Sequence, residues 1–411
     1  MRVLLVQSWL GRPEPPVLPL GLLNLGAAMP DADVSLYDPN LSSRPMEELR
    51  EVAARTSPNL ICVSLRNCDT TKLHDPYNYL PAFAAQVRLL RRTCPQARLL
   101  AGGSGFSLFA RQILKYLPEL DAGVTGKAEV TMARLEEAVG SSRTPVTGRG
   151  RFIRPRYDLT DLRPYVRRER NLAMGVEVAR GCSRRCSYCT YPGLDGEESW
   201  RDTGAVLDDI EALYAAGARH LFLVAPVLNS RPAALEGLLR EMVGSFPGLT
   251  WEGYHTPEPI TTEYLRLARS SGLVRVGLSP DGTTDRELRE LGKGFSMEAL
   301  RRAIEAIRLT DGVGVSLSFF SALPGASLPK SLAALLRAYR LGRSCGDSLL
   351  RLRATMIRMI PGTPLATGLG LTAEELFVPG DRLPPSVFCA DGPAIRLAVR
   401  HLSGLVSRGL R

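Results

Sequence analysis

Short apolar runs and amphipathic stretches alternate along this chain in two successive series. In the first, the pattern predicts strands at residues 2–7, 33–37, 60–65, 98–101 and 122–125, and helices at 18–29, 46–55, 79–92, 108–117 and 129–139. Strand–helix alternation with short connections implies a parallel sheet with helices on both faces. Residues 1–140 are therefore expected to form a doubly wound, Rossmann-like α/β domain. Ligands of such sheets bind at the carboxyl ends of the strands. The second series predicts strands at 175–178, 220–224, 250–254, 275–278, 314–320 and 354–360. Helices are predicted between and after them at 203–216, 232–243, 262–270, 285–291, 297–309 and 330–341. It fills a domain over 171–365, six βα units long. Residues 141–170, rich in Gly, Arg and Pro, read as a connector. Residues 366–411 are too short for a third domain and read as a capping tail with one helix at 393–409.

Composition narrows the class. The chain has 411 residues, 45% apolar and 23% charged, which suits a globular protein of two to three domains. No apolar run approaches the ~20 residues that span a bilayer. The first residues look like a strand and lack a signal peptide's longer apolar core and cleavage site. A cytoplasmic location is expected. The net charge of +10 raises the question of nucleic acid. Only Lys72, Lys115, Lys127, Lys293 and Lys330 are lysines, however, and the arginines are spread along the chain. The densest run, Arg149 to Arg170, reads as solvated or salt-bridging arginines in the connector, so neither nucleic acid nor membrane is expected as a partner. Of eight cysteines, Cys62, Cys68, Cys94, Cys345 and Cys389 are scattered and read as reduced thiols.

The remaining three cysteines change the picture most. Cys182, Cys186 and Cys189 have the spacing C-x3-C-x2-C within residues 181–190. Three thiolates so placed suit three irons of a [4Fe–4S] cubane and leave the fourth iron open. Electron-transfer clusters take four cysteines, and structural zinc sites fill all four positions. An open iron points to chemistry, while a zinc site or a non-catalytic iron–sulfur protein is the competing reading.

With Tyr188 just before the last cysteine, this motif resembles that of the radical S-adenosylmethionine (SAM) enzymes. The resemblance implies a partial (β/α)6 barrel, with the cluster loop after its first strand and the site at the strands' C-terminal ends. It implies that the open iron chelates SAM, that reductive cleavage yields a 5′-deoxyadenosyl radical, and that Tyr188 lies against the adenine. A doubly wound domain directly before such a motif is similar to the cobalamin-binding branch of that family. The loops carrying this likeness are residues 64–71, with Arg66, and 102–108, with Gly102, Gly103 and Gly105. Glycines there permit close backbone approach, either to a ligand or in a tight turn alone. The Asp-x-His-x-x-Gly segment of some cobalamin domains is absent, and none of His74, His220, His255 and His401 sits in that context. Cobalamin would then lack a histidine beneath the metal, and Arg66 is the residue expected at that face. The alternative is a vestigial domain that binds no cobalamin.

Barrel positions supply the other candidates. Glu177 and Arg180 precede the cysteines, and Arg184 and Arg185 are placed to favour thiolates. The segment after the second strand has Ala225 and Pro226 where the family carries an acidic segment, leaving backbone carbonyls to meet the SAM amino group. The third strand carries Glu252, Tyr254, His255 and Glu258. His255 is the candidate for proton transfer, since histidine titrates near neutrality. The resemblance assigns Ser279 and Asp281 to SAM ribose or substrate hydroxyls, and Ser318 on the fifth strand is a further cofactor-binding candidate. Arg358 points either into the barrel or outward. Two outcomes follow: cobalamin-dependent C-methylation, or a cobalamin-free dehydration, deoxygenation or epimerisation of a sugar-like substrate. Either implies a small polar metabolite of a specialised pathway as substrate, and a flavodoxin or ferredoxin as electron donor.

Overall fold

The computed structural model describes residues 1–129, 145–148, 150–168, 174–389 and 401–402. The expected helix at 129–139, the expected helix at 393–409, and Arg149 and Arg170 lie wholly or mostly outside these residues. The chain forms two compact units. One comprises Met1–Thr70, Tyr77–Met174 and Leu371–Leu383; the other comprises Thr71–Pro76, Gly175–Gly370 and Pro384–Arg411.

The first unit is built on β1 (Arg2–Gln7), β2 (Asp33–Tyr37), β3 (Leu60–Ser64), β4 (Arg98–Gly102), β5 (Ala122–Gly126) and β6 (Val146–Gly148). They lie parallel in the order β2-β1-β3-β4-β5-β6. The chain leaves β1 toward β2 and then returns past β1 to β3, so the switch point lies between β1 and β3. β1 is buried from Val3 to Gln7 because both sheet faces are covered. Val3, Leu5, Leu60, Cys62, Leu100 and Val124 share one core with Leu22 and Leu25 of α1 (Leu20–Ala27). The helices that follow are α2 (Pro45–Thr56), α3 (Leu80–Thr93), α4 (Ser104–Leu108) and α5 (Ala110–Tyr116). The single helix expected at 108–117 is interrupted at Phe109, whose backbone is not helical.

The expected connector is not a separate segment. β6 extends the sheet, and Tyr165 is fully buried with its hydroxyl donating to Asp38 at 2.8 Å. Two of its arginines pair locally: Arg156 with Asp158 at 2.7 Å and Arg163 with Asp161 at 2.9 Å, both on the surface.

The second unit carries β7 (Gly175–Glu177), β10 (His220–Val224), β11 (Thr250–His255), β12 (Leu273–Asp281), β13 (Gly314–Phe320) and β14 (Leu349–Thr355), parallel and joined in chain order. The short β8 (Ala179–Arg180) and β9 (Ser199–Trp200) form an antiparallel pair beside them. The layer of helices is α6 (Thr203–Ala215), α7 (Pro232–Met242), α8 (Thr262–Ser270), α9 (Asp285–Glu290), α10 (Met297–Arg308) and α11 (Leu328–Ser344). Asp202, Thr261, Thr284 and Ser296 cap α6, α8, α9 and α10 through their side chains. This is an open (β/α)6 barrel. Alternation along the strands puts Leu221, Leu223, Trp251, Val276, Leu317 and Leu352 on the buried helix side. The register brings Phe222, Glu252, Arg275 and Tyr254 to the other, concave face, with Ser316, Ser318, Arg351 and Arg353.

The sixth strand sits at 349–355 rather than 354–360. Its alternating Leu and Arg fit an edge strand with one wet face. The more apolar Met356, Ile357 and Met359 are buried in an irregular segment instead, which bonds to Val387 and Cys389. The expected single tail is likewise divided, with Leu371–Leu383 in the first unit and Pro384 onward in the second. Among the described residues no helix is long and apolar enough to cross a membrane.

Candidate active site

The three cysteines sit on one loop whose backbone is fixed from several sides. Arg180 closes the end of β7 by donating from Nε and Nη2 to the two oxygens of Glu177, each at 2.7 Å. Gly181 follows with φ +70°, and a Cβ there would stand 2.1 Å from the Glu197 carbonyl oxygen. Cys189 N donates to Cys186 O at 3.1 Å, Ser187 N to Leu291 O at 3.0 Å, and Leu365 N to Ser187 O at 2.8 Å. Glu198 ties the loop to its surroundings. It accepts from Ser183 Oγ at 2.9 Å, Trp200 Nε1 at 2.7 Å and Ser230 Oγ at 2.8 Å. Burial raises its pKa, but these donors and Arg231 more than offset that and hold the carboxyl below its ordinary value.

All three thiols are unpaired and partly exposed. Burial pushes Cys186 and Cys189 up, Lys293 opposes this at both, and Arg184 helps at Cys186. Among the described residues, no three or more His, Cys, Asp and Glu converge on a point that would hold a single metal ion. A cubane spreads its thiolates over separate irons, so three free thiols spaced along one anchored loop fit that group.

The remaining barrel candidates divide sharply. His255 is 4% exposed and lies on the helix side of β11. Its Nδ1 meets Gly253 O at 3.1 Å and its Nε2 meets the Tyr264 hydroxyl at 2.6 Å. A carbonyl only accepts, so Nδ1 carries the proton and Nε2 accepts from Tyr264. Burial lowers its pKa to about 4. The ring is neutral, engaged at both nitrogens and turned from the concave face, an arrangement that favours a structural role over the expected proton transfer. Glu252 is also internal, bonded to His220 Nε2 at 3.1 Å and paired with Arg275. Both carboxylate oxygens are thus engaged by protein, and Glu252 is buried. Glu258 pairs on the surface with Arg302 at 3.4 Å. Tyr254 does face the concave side, 42% exposed, with its ring edge-on to Phe222 at 5.5 Å. Ser279 and Ser318 are half-buried.

Asp281 is 5% exposed, and its Oδ2 accepts from Lys293 Nζ at 2.6 Å and from the Tyr188 hydroxyl. That carboxylate oxygen is spent inside the protein rather than on a ribose. Tyr188 also packs its ring edge-on against Phe320 at 4.8 Å. Ala225 is buried at the end of β10. The following loop is pinned by Asn229, whose Nδ2 donates to Thr256 O at 2.8 Å and whose Oδ1 accepts from Thr256 N at 2.9 Å. Arg358 is 6% exposed, and its Nη1 donates to Met359 O at 2.6 Å. Its packing is internal.

Lys293 and Glu198 were not evident as site residues in the sequence. The one sequence signal for Lys293 is its rarity, one of five lysines in a chain dominated by arginine, set between two glycines.

In the first unit the candidate loops follow β3 and β4, beside the switch point. Arg66 is exposed, yet protein surrounds it closely enough that desolvation lowers its pKa, against the pull of Tyr79, Glu14 and Asp38. Gly103 has φ +96°, and a Cβ there would meet Leu65 O at 2.6 Å. A Cβ at Gly105 would meet the Asn67 backbone at 2.7 Å. The close approach these glycines allow is to the chain's own loop after β3. At Gly102 the nearest atom, Val124 O, lies at an ordinary 3.5 Å. This unit contains no histidine.

A sequence model of the radical SAM superfamily matches residues 176–326, from β7 to the turn after β13. The chain is 24% identical over 324 residues to the anaerobic magnesium-protoporphyrin IX monomethyl ester cyclase of Synechocystis sp., covering 72% of this chain and 63% of the cyclase. It is 29% identical over 262 residues to the ribosomal protein uS12 methylthiotransferase RimO of Desulforudis audaxviator, covering 60% and 56%. The chain thus spans less than two thirds of either relative. Among solved structures, the radical SAM methyltransferase TsrM of Kitasatospora setae, bound to tryptophan and a SAM analogue, gives a TM-score of 0.76 at 22% identity, over 90% of this chain and 75% of that one. The cobalamin-dependent radical enzyme OxsB gives 0.66 at 15%, over 91% and 55%. The fold of this chain, doubly wound sheet and open barrel, is the fold of those enzymes. The three-cysteine loop after the first barrel strand lies inside the matched stretch, so residues 176–326 are similar to the radical SAM superfamily in sequence as well as in fold.

Proposed function

We propose that Cys182, Cys186 and Cys189 hold a [4Fe–4S] cluster that cleaves SAM, and that the enzyme abstracts hydrogen from a small-molecule substrate and C-methylates it with cobalamin. The observation that carries this reading is the fold shared with TsrM and OxsB over nine-tenths of the chain, together with the anchored three-cysteine loop. Bound there, the cluster supplies the electron that splits SAM, and cobalamin carries the methyl group.

The protein's own residues bind and orient. Arg180, Gly181 and Glu198 hold the cysteine loop in place. Tyr254, Ser279 and Ser318 offer polar groups to SAM or substrate on the barrel face, and Arg351 and Arg353 add exposed cations on β14. In the doubly wound unit, Arg66, on the loop after β3, would offer a cation to bound cobalamin. It cannot ligate cobalt, and no histidine of that unit can take its place. A flavodoxin or ferredoxin would deliver the electron.

A second reading rests on Gly103 and Gly105, whose close contacts are already filled by the loop after β3. The first unit would then serve structure alone, and the same radical would drive a dehydration, deoxygenation or epimerisation. Cobalamin content of anaerobically purified protein decides between them. Stoichiometric cobalamin with a methylated product supports methyl transfer. A cobalamin-free enzyme that still converts SAM to 5′-deoxyadenosine supports the second reading. Alanine at any of the three cysteines is expected to abolish SAM cleavage, and surviving cleavage would overturn both.

A further inference from the structure

Three elements converge on one buried ammonium next to the cysteine loop. Lys293 is 7% exposed, and its Nζ donates to Asp281 Oδ2 at 2.6 Å and to the Tyr188 hydroxyl at 3.0 Å. Nζ also lies 5.5 Å from the centroid of the Tyr188 ring. Tyr188 comes from the cysteine loop between Cys186 and Cys189. Asp281 ends β12, where the register with β13 shifts, and its φ of +65° is left-handed, a region that aspartate enters more readily than most residues. Lys293 stands between Gly292 and Gly294, at φ +68° and +69°. A Cβ on Gly292 would stand 2.8 Å from Arg185 O, so this turn lies against the cysteine loop. Arg184 Nη1 donates to the Lys293 carbonyl at 2.6 Å and fastens the turn there.

A charge is buried in this way only when it is paired. Tyr188 lies between Cys186 and Cys189, so an ammonium held against its hydroxyl and its ring stands beside the cysteine loop.

We propose that Lys293, aimed by Asp281 and Tyr188, is a fixed cation that offsets the negative charge of the thiolate-bound cluster and raises its reduction potential. Reduction adds an electron to an anionic group, and a cation locked beside it favours the reduced form. Asp281 and Tyr188 are positioning residues in this arrangement. The inference rests on the cluster being held by Cys182, Cys186 and Cys189.

The test is a potentiometric titration of the anaerobically reconstituted full chain, without SAM, followed by electron paramagnetic resonance. Lys293→Met is expected to lower the midpoint so that the reduced-to-oxidised ratio at a fixed potential falls about tenfold, about 59 mV for one electron. Asp281→Asn removes the opposing charge and is expected to raise the midpoint. Lys293→Arg is expected to stay near the wild type. A purely structural trio would not give opposite signs. Shifts in one direction, or none with wild-type iron content, overturn the proposal. An unchanged midpoint with lost SAM affinity in Lys293→Met does so too, since Lys293 would then be a ligand-binding cation. If Lys293→Met takes up no iron, Asp281→Asn decides alone: a raised midpoint supports the proposal, and an unchanged or lowered one overturns it. A wild type that takes up no iron sinks the functional reading and this proposal together. A wild-type cluster with wrong-signed shifts sinks only this one.

Discussion

His255 shows how burial reverses the role suggested by residue type. Histidine near a strand's C-terminal end suggests proton transfer, but here both ring nitrogens are engaged and the ring stays neutral down to about pH 4. The consequence is a pH-dependent stability. An unfolded histidine takes up a proton near pH 6.5, while the folded one does not until about pH 4, so the unfolded state binds more protons in between. Stability therefore rises with pH across that window, and acidification from 6.5 to 4 costs on the order of 3 kcal/mol from this group. Urea unfolding of the wild type and of His255→Gln between pH 7 and 5 checks this. The variant starts less stable at pH 7 and loses less on acidification. Equal slopes in the two proteins would mean that His255 does not titrate as its burial requires.

The cysteine loop is an element whose shape depends on glycine in one place and not in another. Gly181 has φ +70° and no room for a methyl group against Glu197 O, whereas nothing lies within 4 Å of a Cβ built on Gly193, eleven residues after Cys182. Gly181→Ala is expected to cost roughly 2–4 kcal/mol through clash and backbone strain and to lower iron uptake severely. Gly193→Ala should leave both near wild type. Iron content and thermal unfolding of the two variants check the contrast, and equal behaviour would sink it. The strands of both units were legible because hydrophobic periodicity is a local property. β1, β2, β10 and β13 begin and end where the pattern placed them. The sixth barrel strand was misplaced because its alternating Leu and Arg are less apolar than the buried irregular segment after it. The three cysteines were legible from spacing alone. The partners of Tyr188 were not, since Lys293 lies 105 residues away and only the barrel's closure order brings it near. Strand register likewise hid the engagement of Glu252 with His220, 32 residues away on the neighbouring strand.

At the scale of the molecule, the chain crosses between units more often than two domains in sequence would require. After completing the barrel strands it returns to the first unit with Leu371–Leu383 before rejoining the second. That return is well bonded. Leu376 is 2% exposed, and Phe377 packs against Phe109 and Tyr116 at 5.7 and 6.1 Å. Asn78 Nδ2 donates to both Val378 O and Gly380 O at 2.6 Å. Each unit has its own core, so loss of a contact within one should weaken that one first. Leu376→Ala removes a buried side chain from the first unit and is expected to cost it about 2–5 kcal/mol. Native-state hydrogen exchange reads the two units separately. Amides of β1, β3 and β4 should lose protection by that amount, while those of β10 to β13 hold theirs. Uniform loss across both sheets would show a single cooperative unit. Loss confined to the barrel would show that the segment supports the other core, and either result would overturn the assignment of Leu371–Leu383 to the doubly wound unit.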